Sequence, residues 1–114
     1  MRKILPSLAA LSLVALLLLA PAVGAKSKTV TVNIEDFAFD PSHITVAPGT
    51  KVKWVNQDKK AHTATSTKPR GEFDSGKLKR GESYSFTFKH PGTYKYHCKI
   101  HPEMKGTVTV RRSG

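Results

Sequence analysis

Apolar and polar residues alternate over short segments along most of the chain. Residues 29–34 read Thr-Val-Thr-Val-Asn-Ile, and residues 83–88 place aromatic side chains at alternate positions. Because successive side chains of a β-strand point to opposite faces, each segment can bury one face and expose the other. Five further segments also have a strand-forming composition, at 43–46, 51–55, 62–66, 93–97 and 107–110. None of them keeps the helical period of about 3.6 residues.

Turn-forming residues separate the predicted strands. Asp40-Pro41, Pro48-Gly49 and Pro91-Gly92 each stand between two strand segments, and turns favour these residue types. About seven or eight short antiparallel strands in one small domain predict an all-β fold, a Greek-key β-sandwich. The inward-facing positions give the expected core: Val30, Val32, Ile34, Val52, Trp54, Phe86, Phe88, Tyr94, Tyr96, Val108 and Val110.

The beginning of the chain has the composition of a secretory signal. Two basic residues follow the initial Met, residues 8–20 are almost entirely apolar, and small residues come next. This order predicts a signal peptide at residues 1–25, cleaved after Ala25 or, as second choice, after Ala22. An uncleaved membrane anchor is the alternative, but the apolar run is shorter than the roughly 20 residues that a bilayer span needs. We therefore expect residues 26–114 to form one exported domain, periplasmic or secreted, with no stable membrane span after cleavage.

The chain is strongly basic. It has 19 Lys and Arg against 8 Asp and Glu, a formal net charge of +11. These residues are spread along the chain, without the basic helix or aromatic-interleaved patch that nucleic-acid binding favours. Nucleic acid is therefore not an expected partner. An acidic protein, or an anionic membrane or wall surface, fits the charge better.

Cys98 is the only cysteine of the chain, so no disulfide can form within it. A free thiol in an exported protein is open to oxidation, and a bound metal would protect the sulfur. Small domains also often use a metal to support a small core. Cys98 is therefore the first candidate for a metal ligand.

A metal-ligand pattern begins at this cysteine. The sequence Cys98-Lys-Ile-His101-Pro-Glu-Met104 places His three and Met six residues after it. Taken alone, His101 could be an ordinary surface histidine, but the spacing of all three residues argues against that. Thiolate and thioether are soft ligands and imidazole suits copper; two His and one Cys with a weak axial Met form blue-copper sites. The pattern predicts copper bound by Cys98, His101, Met104 and one further His.

Four other histidines are candidates for that ligand. His97 adjoins Cys98, and neighbours in an extended segment face opposite sides. His43 begins an early strand and His90 lies in a turn, so both are expected on the surface. His62 follows a polar loop and begins a predicted strand, which would place it at the same end of the domain as Cys98. We predict that His62 is the ligand.

Longer motifs around these residues are typical of a known family. Residues 48–56 read Pro-Gly-Thr-Lys-Val-Lys-Trp-Val-Asn, residues 84–88 read Tyr-Ser-Phe-Thr-Phe, and residues 91–98 read Pro-Gly-Thr-Tyr-Lys-Tyr-His-Cys. Over residues 29–112 the chain resembles the cupredoxins, most closely their amicyanin and plastocyanin branch. The short Cys-x2-His-x2-Met spacing is similar to that of amicyanins, since plastocyanins carry two more residues between the His and the Met.

The resemblance implies a cupredoxin sandwich with one copper ion and a defined set of ligands: His62, Cys98, His101 and Met104. It also implies that the backbone N–H of Asn56 bonds the cysteine sulfur, and that its side chain ties two loops together. One position departs from the family pattern, because many relatives have Asn directly after the first histidine and this chain has Thr63. That difference leaves the hydrogen bonding around the site open.

These features predict an exported type 1 (blue) copper protein that carries one electron at a time between redox partners. Copper delivery or storage is the alternative, although delivery sites must release their metal and tend to use several Met and His without a thiolate. A copper enzyme needs an open coordination position or a second metal. The remaining histidines form no second cluster, so no enzymatic activity is expected.

The partners can also be predicted in outline. Lys59, Lys60, Lys99 and Lys105 lie in or beside the ligand loops, so the rim of the site should be basic. Redox partners should then present an acidic docking surface. The alternative is that these lysines only keep the domain soluble. We expect the protein to be a monomer.

Overall fold

The computed structural model describes residues 28–113, which form nine β-strands in two sheets. The strands are β1 (Thr29–Glu35), β2 (Ala38–Asp40), β3 (His43–Val46), β4 (Thr50–Asn56), β5 (Thr65–Lys68), β6 (Arg70–Asp74), β7 (Ser83–Phe88), β8 (Gly92–His97) and β9 (Lys105–Val110). One sheet has the order β2-β1-β4-β7, and the other the order β3-β9-β8-β5-β6. The predicted signal peptide, residues 1–25, lies outside the described residues. Among the residues described, no helix is long and apolar enough to cross a membrane.

The predicted β-sandwich is confirmed, with more strands than the sequence pattern indicated. β3 and β7 have the predicted bounds. β2 is a short addition after a tight turn, and β5 and β6 form a hairpin where one strand at 62–66 and a looser stretch were expected. β6 buries only Phe73, so its sequence carries almost no apolar alternation.

Two strand pairs differ from the predicted antiparallel arrangement. β1 pairs with β4 in parallel, and β3 pairs with β9 in parallel. The prediction of antiparallel strands is therefore wrong for these pairs. Parallel neighbours arise because the chain changes sheets: β3 joins the second sheet before β4 returns to lie beside β1. Parallel strands need such crossover connections, whereas a hairpin can only join antiparallel ones.

Trp54 lies at the centre of the core between the sheets. Its fully buried ring stacks on Phe73, with 5.2 Å between ring centroids, and meets Tyr96 edge-on at 5.4 Å. Both arrangements are favourable for aromatic pairs. The predicted core is buried except for Val30 and Phe86, which pack half-buried against it. Among the described residues, the buried hydrophobic side chains that the alternation did not indicate are Phe39, Val46, Ala64, Phe73, Leu78, Cys98 and Met104.

His62 is anchored by its backbone between β4 and β5. Its N–H donates to the carbonyl oxygen of Leu78 at 3.1 Å, and the Leu78 N–H donates to the His62 carbonyl at 2.8 Å. This isolated bridge replaces the strand that was expected to begin at His62, since β5 begins only at Thr65. The bridge fixes the direction in which the imidazole leaves the backbone.

Gly106 on β9 lies beneath the ring of Tyr96, its partner on β8. A Cβ at position 106 would collide with Cζ and Oη of Tyr96 and would lie 2.7 Å from Cε1. Because Tyr96 is buried, its ring has little space to move into. We predict that Gly106→Ala lowers the free energy of unfolding of the metal-free protein by about 1–3 kcal/mol, the usual cost of overpacking. Urea denaturation measures this change.

The matched control is the same substitution in a Tyr96→Leu background. Leu lacks the outer ring atoms that the added Cβ would meet, so Gly106→Ala should cost much less there. An equal cost in both backgrounds would contradict the steric explanation.

Candidate metal centre

Three predicted ligands come together at one end of the sandwich. The Nδ1 atoms of His62 and His101 lie 3.2 Å apart, and the Cys98 sulfur lies 3.8 Å from the first and 3.7 Å from the second. His62 and Cys98 are fully buried, whereas His101 is partly exposed. Within residues 28–113, these three are the group of His, Cys and acidic side chains whose donor atoms are close enough to share a metal ion.

The spacing of the donor atoms fits a metal between them. Bonds of about 2.0–2.1 Å to nitrogen and 2.3 Å to sulfur, with angles of about 105–120° at the metal, put the donors about 3.2–3.8 Å apart. The measured separations of 3.2, 3.7 and 3.8 Å lie in that range. A thiolate with two imidazoles in a trigonal set is the donor combination of type 1 copper sites.

Met104 lies in the same loop and is 3% exposed. The loop between β8 and β9 is closed by two backbone hydrogen bonds: the Cys98 N–H donates to the Met104 carbonyl at 3.1 Å, and the Met104 N–H donates to the His101 carbonyl at 2.9 Å. These bonds hold the Cys, His and Met positions in one compact turn. The buried thioether at this position agrees with the Cys-x2-His-x2-Met pattern.

The other histidines lie away from the donor group, as predicted. His43 and His90 are exposed. His97 is half-buried, and it lines a concavity on the outer face of the second sheet together with His43. His97 and Cys98 therefore face opposite sides of the chain.

The hydrogen bond to the cysteine sulfur comes from Thr63. Its N–H donates to Cys98 Sγ at 3.3 Å. The expectation that Asn56 supplies this bond is wrong, because the Asn56 N–H donates to the carbonyl of Glu82 at 3.0 Å. The other expectation for Asn56 is confirmed: its Nδ2 donates to the carbonyls of Lys60 and Leu78 at 2.9 and 2.8 Å. The Asn56 side chain thus holds together the loop between β4 and β5 and the loop between β6 and β7.

The Thr63 hydroxyl adds a link to the ligand loop. Its Oγ1 accepts the Lys99 N–H at 2.8 Å and lies 2.9 Å from Thr65 Oγ1. Thr65 in turn donates to Asp74 Oδ1 at 3.0 Å, so the Thr63 proton points to Thr65. Asp74 also pairs with the Lys99 ammonium at 2.6 Å. Thr63, which stands where many relatives have Asn, therefore still links two segments through its side chain. One carries His62, and the other carries Cys98 and His101.

Asp74 should make the free energy of unfolding depend on pH in the acid range. Burial alone would raise its pKa, but the Lys99 ammonium, the Gly76 N–H and the Thr65 hydroxyl outweigh burial and lower the pKa below its ordinary value of 3.8. A lowered pKa means that the unfolded chain takes up the proton first, so this contribution is present above about pH 4 and is lost as the pH falls further. Asp74 is 40% exposed, so solvent and salt reduce the effect.

We predict that Asp74→Asn flattens the dependence of unfolding free energy on pH between 3 and 5. Urea denaturation of the metal-free protein measures it, with Asp40→Asn, an exposed carboxylate outside this network, as the control. A variant with the same pH slope as the unchanged protein would show that the Asp74 network contributes nothing to folding.

Asp58 orients the His62 ring, a role that the sequence pattern did not indicate. Its Oδ2 accepts the Nε2–H of His62 at 2.9 Å. Burial opposes ionisation of Asp58, but the Phe37 and Asp36 N–H groups and His62 outweigh it and lower its pKa. Because the ionised carboxylate holds the proton on Nε2, the His62 Nδ1 is left with its lone pair toward Cys98 and His101. The one available clue was an acidic residue four positions before a histidine in a lysine-rich loop.

The chain belongs to the cupredoxin family, since the family model described as a cupredoxin-like domain matches residues 8–110 of its sequence. An amicyanin from Paracoccus denitrificans is 30% identical over 84 residues, which is 71% of this chain and 64% of that protein. A plastocyanin from Scenedesmus fuscus is 36% identical over 86 residues, covering 64% of this chain and 86% of the plastocyanin. The match to the Paracoccus denitrificans amicyanin thus spans less than two thirds of that protein's length.

Solved structures agree with this assignment. The Cu(I) form of an amicyanin variant superposes with a TM-score of 0.69 at 30% identity, covering 79% of this chain and 89% of that one. A copper-containing nitrite reductase from Thermus scotoductus SA-01 gives 0.70 at 36% identity, covering 81% of this chain but 25% of the reductase. The predicted resemblance to cupredoxins is confirmed, and the donor set of this chain fits the one copper ion of that family.

Proposed function

We propose that this chain is an exported type 1 copper protein that carries single electrons between redox partners. The proposed ligands are His62, Cys98, His101 and Met104. The observation that carries the proposal is the triangle of one thiolate and two imidazole nitrogens at separations of 3.2–3.8 Å. Copper, when bound, would supply a Cu(I)/Cu(II) couple, and the protein supplies a fixed geometry for both states.

The fixed geometry comes from bonds that the donor residues already make. Asp58 holds the His62 ring through Nε2, the Thr63 N–H holds the Cys98 sulfur, and the backbone bonds of the 98–104 loop hold His101. These outer contacts orient ligands and tune a metal site. Because they tie the ligands to a closed sandwich, little rearrangement should accompany electron exchange.

The proposed exit for the electron is the partly exposed His101 ring. It is flanked at the surface by two large exposed apolar residues, Phe37 at 47% and Ile100 at 41% exposure. His62 and Cys98 are fully buried, so a partner can approach the donor group most closely through His101. The apolar neighbours would exclude water from such a contact.

Acidic redox partners are the proposed class, because exposed lysines lie in or beside the loops that carry the proposed ligands. Among the described residues, Lys59, Lys60 and Lys105 are exposed and form no salt bridge, whereas the charge of Lys99 is partly offset by Asp74. Exposed carboxylates also occur nearby, at Asp36 and Glu103. The proposal therefore rests mainly on the Lys59-Lys60 pair beside the His62 segment.

Salt dependence tests this part of the proposal. The rate of oxidation by ferricyanide, an anionic complex, should fall as ionic strength rises, because screening acts within a Debye length of about 8 Å at physiological salt. The double variant Lys59→Glu/Lys60→Glu should be slower at low salt, while Lys51→Glu, exposed at the far end of β4, should not. A rate that is flat or rises with salt would rule out a basic docking rim.

Redox titration and copper retention test the electron-carrier role itself. The potential should follow a one-electron curve, about 59 mV for each tenfold change in the ratio of oxidised to reduced protein. The copper should also stay bound against a competing chelator. Rapid loss of copper to the chelator would instead favour delivery or storage. A titration that does not follow a one-electron curve would rule out the electron-carrier role.

Export and the absence of catalysis are proposed on sequence grounds. The signal peptide at residues 1–25 predicts a mature domain beginning at Lys26, which the mass of the protein secreted by a bacterial host would test.

The similarity to nitrite reductase covers a quarter of that enzyme. Four ligands from one chain leave no open position for substrate, which is why we propose a carrier and not an enzyme.

A further inference from the structure

The turn between β1 and β2 lies directly against the donor group. Asp36 and Phe37 both have positive φ angles, 53° and 55°, a conformation that disfavours bulky residues and that two-residue hairpins usually give to Gly, Asn or Asp. Phe37 is nonetheless placed there, with 47% of its surface exposed. A strained position with an exposed aromatic residue points to a role outside folding.

The Phe37 ring contacts both imidazoles of the donor group. Its centroid lies 4.9 Å from that of His62, with an interplanar angle of 83°, and 5.0 Å from that of His101, with an angle of 75°. These are edge-to-face contacts of the favourable kind. The ring therefore covers the side of the site where the two imidazoles meet.

One carboxylate connects this turn to the metal centre. Asp58 Oδ1 accepts the Asp36 N–H at 2.8 Å, and Oδ2 accepts the Phe37 N–H at 2.9 Å. The same Oδ2 accepts the His62 Nε2–H at 2.9 Å. The side chain is 12% exposed, so these three donors satisfy it in place of water.

We propose that Asp58 is a positioning residue that fixes the His62 ligand and the Asp36-Phe37 turn together, making Phe37 an aromatic cover that restricts access to the metal. This inference rests on the proposed function. An amide at position 58 cannot reproduce the arrangement, because it has one acceptor oxygen and its NH₂ group would face an N–H donor. Asp58→Asn should therefore disturb His62 and Phe37 at once.

Copper removal by a small chelator tests the cover. Removal should be at least about 10-fold faster in both Phe37→Gly and Asp58→Asn, in line with the loss of an outer contact at a metal site. The double variant should be scarcely faster than Asp58→Asn alone, because both changes remove the same cover. Phe37→Gly should fold normally, since Gly adopts positive φ freely. Lys89→Gly, an exposed position in the turn between β7 and β8 and away from the donor group, serves as the control.

Proton NMR of the metal-free protein tests the coupling separately from copper. Asp58→Asn should abolish the cross-peaks between the Phe37 ring and the two imidazoles and speed exchange of the His62 Nε2 proton. Phe37→Gly should leave that proton protected. Unchanged Phe37 cross-peaks in Asp58→Asn, or unchanged chelator rates in Phe37→Gly, would overturn the inference. If the unchanged protein fails to bind copper, the proposed function fails, and the NMR result still decides whether Asp58 positions both groups.

Discussion

Replacement of Cys98 by Ala should lower the affinity for copper by more than about 100-fold, the upper end of the loss seen when only an outer contact of a metal site is removed. Cys98 provides the one anionic donor of the group, and its sulfur is one corner of the 3.2–3.8 Å triangle. The remaining donors are neutral. Competition with a Cu(I) chelator of known affinity measures the change.

Position 97 offers the matched control for this experiment. His97→Ala alters the adjacent residue, which faces the outer surface of the sheet, so copper affinity should stay the same. The fold of Cys98→Ala should also persist, because the substitution removes only one buried sulfur atom. A Cys98→Ala protein that binds copper within about 10-fold of the unchanged chain would exclude the sulfur as a ligand.

Replacement of Trp54 by Ala should have the largest effect on folding, a loss of about 3–5 kcal/mol in unfolding free energy. Its ring is fully buried and contacts four aromatic neighbours, Phe73, Tyr84, Tyr96 and Phe88. The cavity left behind cannot close without moving both sheets. Small domains are stable by only about 5–15 kcal/mol, so this loss is a large fraction of the total and should strongly lower the urea midpoint of the metal-free variant. Urea denaturation gives the value.

Trp54→Phe separates the cavity from the loss of an aromatic contact. Phe retains a ring that can stack on Phe73, so this variant should lose much less stability than Trp54→Ala. A cost below about 1 kcal/mol for Trp54→Ala would show that the core repacks easily, contrary to the central position of this residue.

The fold could be predicted from the sequence wherever strands have one buried face. β3 and β7 were predicted at the residue level because alternating side chains and clear turns mark them. β6 could not be predicted, since its only buried residue is Phe73. The parallel pairing of β1 with β4 also left no trace in the local pattern, because it depends on which sheet each strand joins.

The donor group was predictable because its chemistry is unusual in sequence. A single cysteine, with His and Met at fixed spacings, identified three ligand positions, and the polar loop before His62 identified the fourth. The structure brings His62, Cys98 and His101 together. Met104 is buried in the same loop, and its role as a ligand remains a prediction.

The groups around the ligands were harder to predict, because hydrogen bonds across loops have no sequence period. Thr63 stands out in the sequence only as a departure from the family pattern, yet its N–H bonds the Cys98 sulfur in place of that of Asn56. Asp58 stands in a basic loop without a recognisable motif, although it bonds His62 and two N–H groups of the β1–β2 turn. Only the three-dimensional arrangement brings these atoms together.

The most direct test of the central claim is the visible absorption spectrum of the copper-loaded domain during a one-electron redox titration. A thiolate bound to Cu(II) in this trigonal set should give an intense visible band from thiolate-to-copper charge transfer. The band should bleach fully after one electron per protein and return on reoxidation. A colourless Cu(II) complex of the unchanged protein would contradict the assignment of a type 1 copper site.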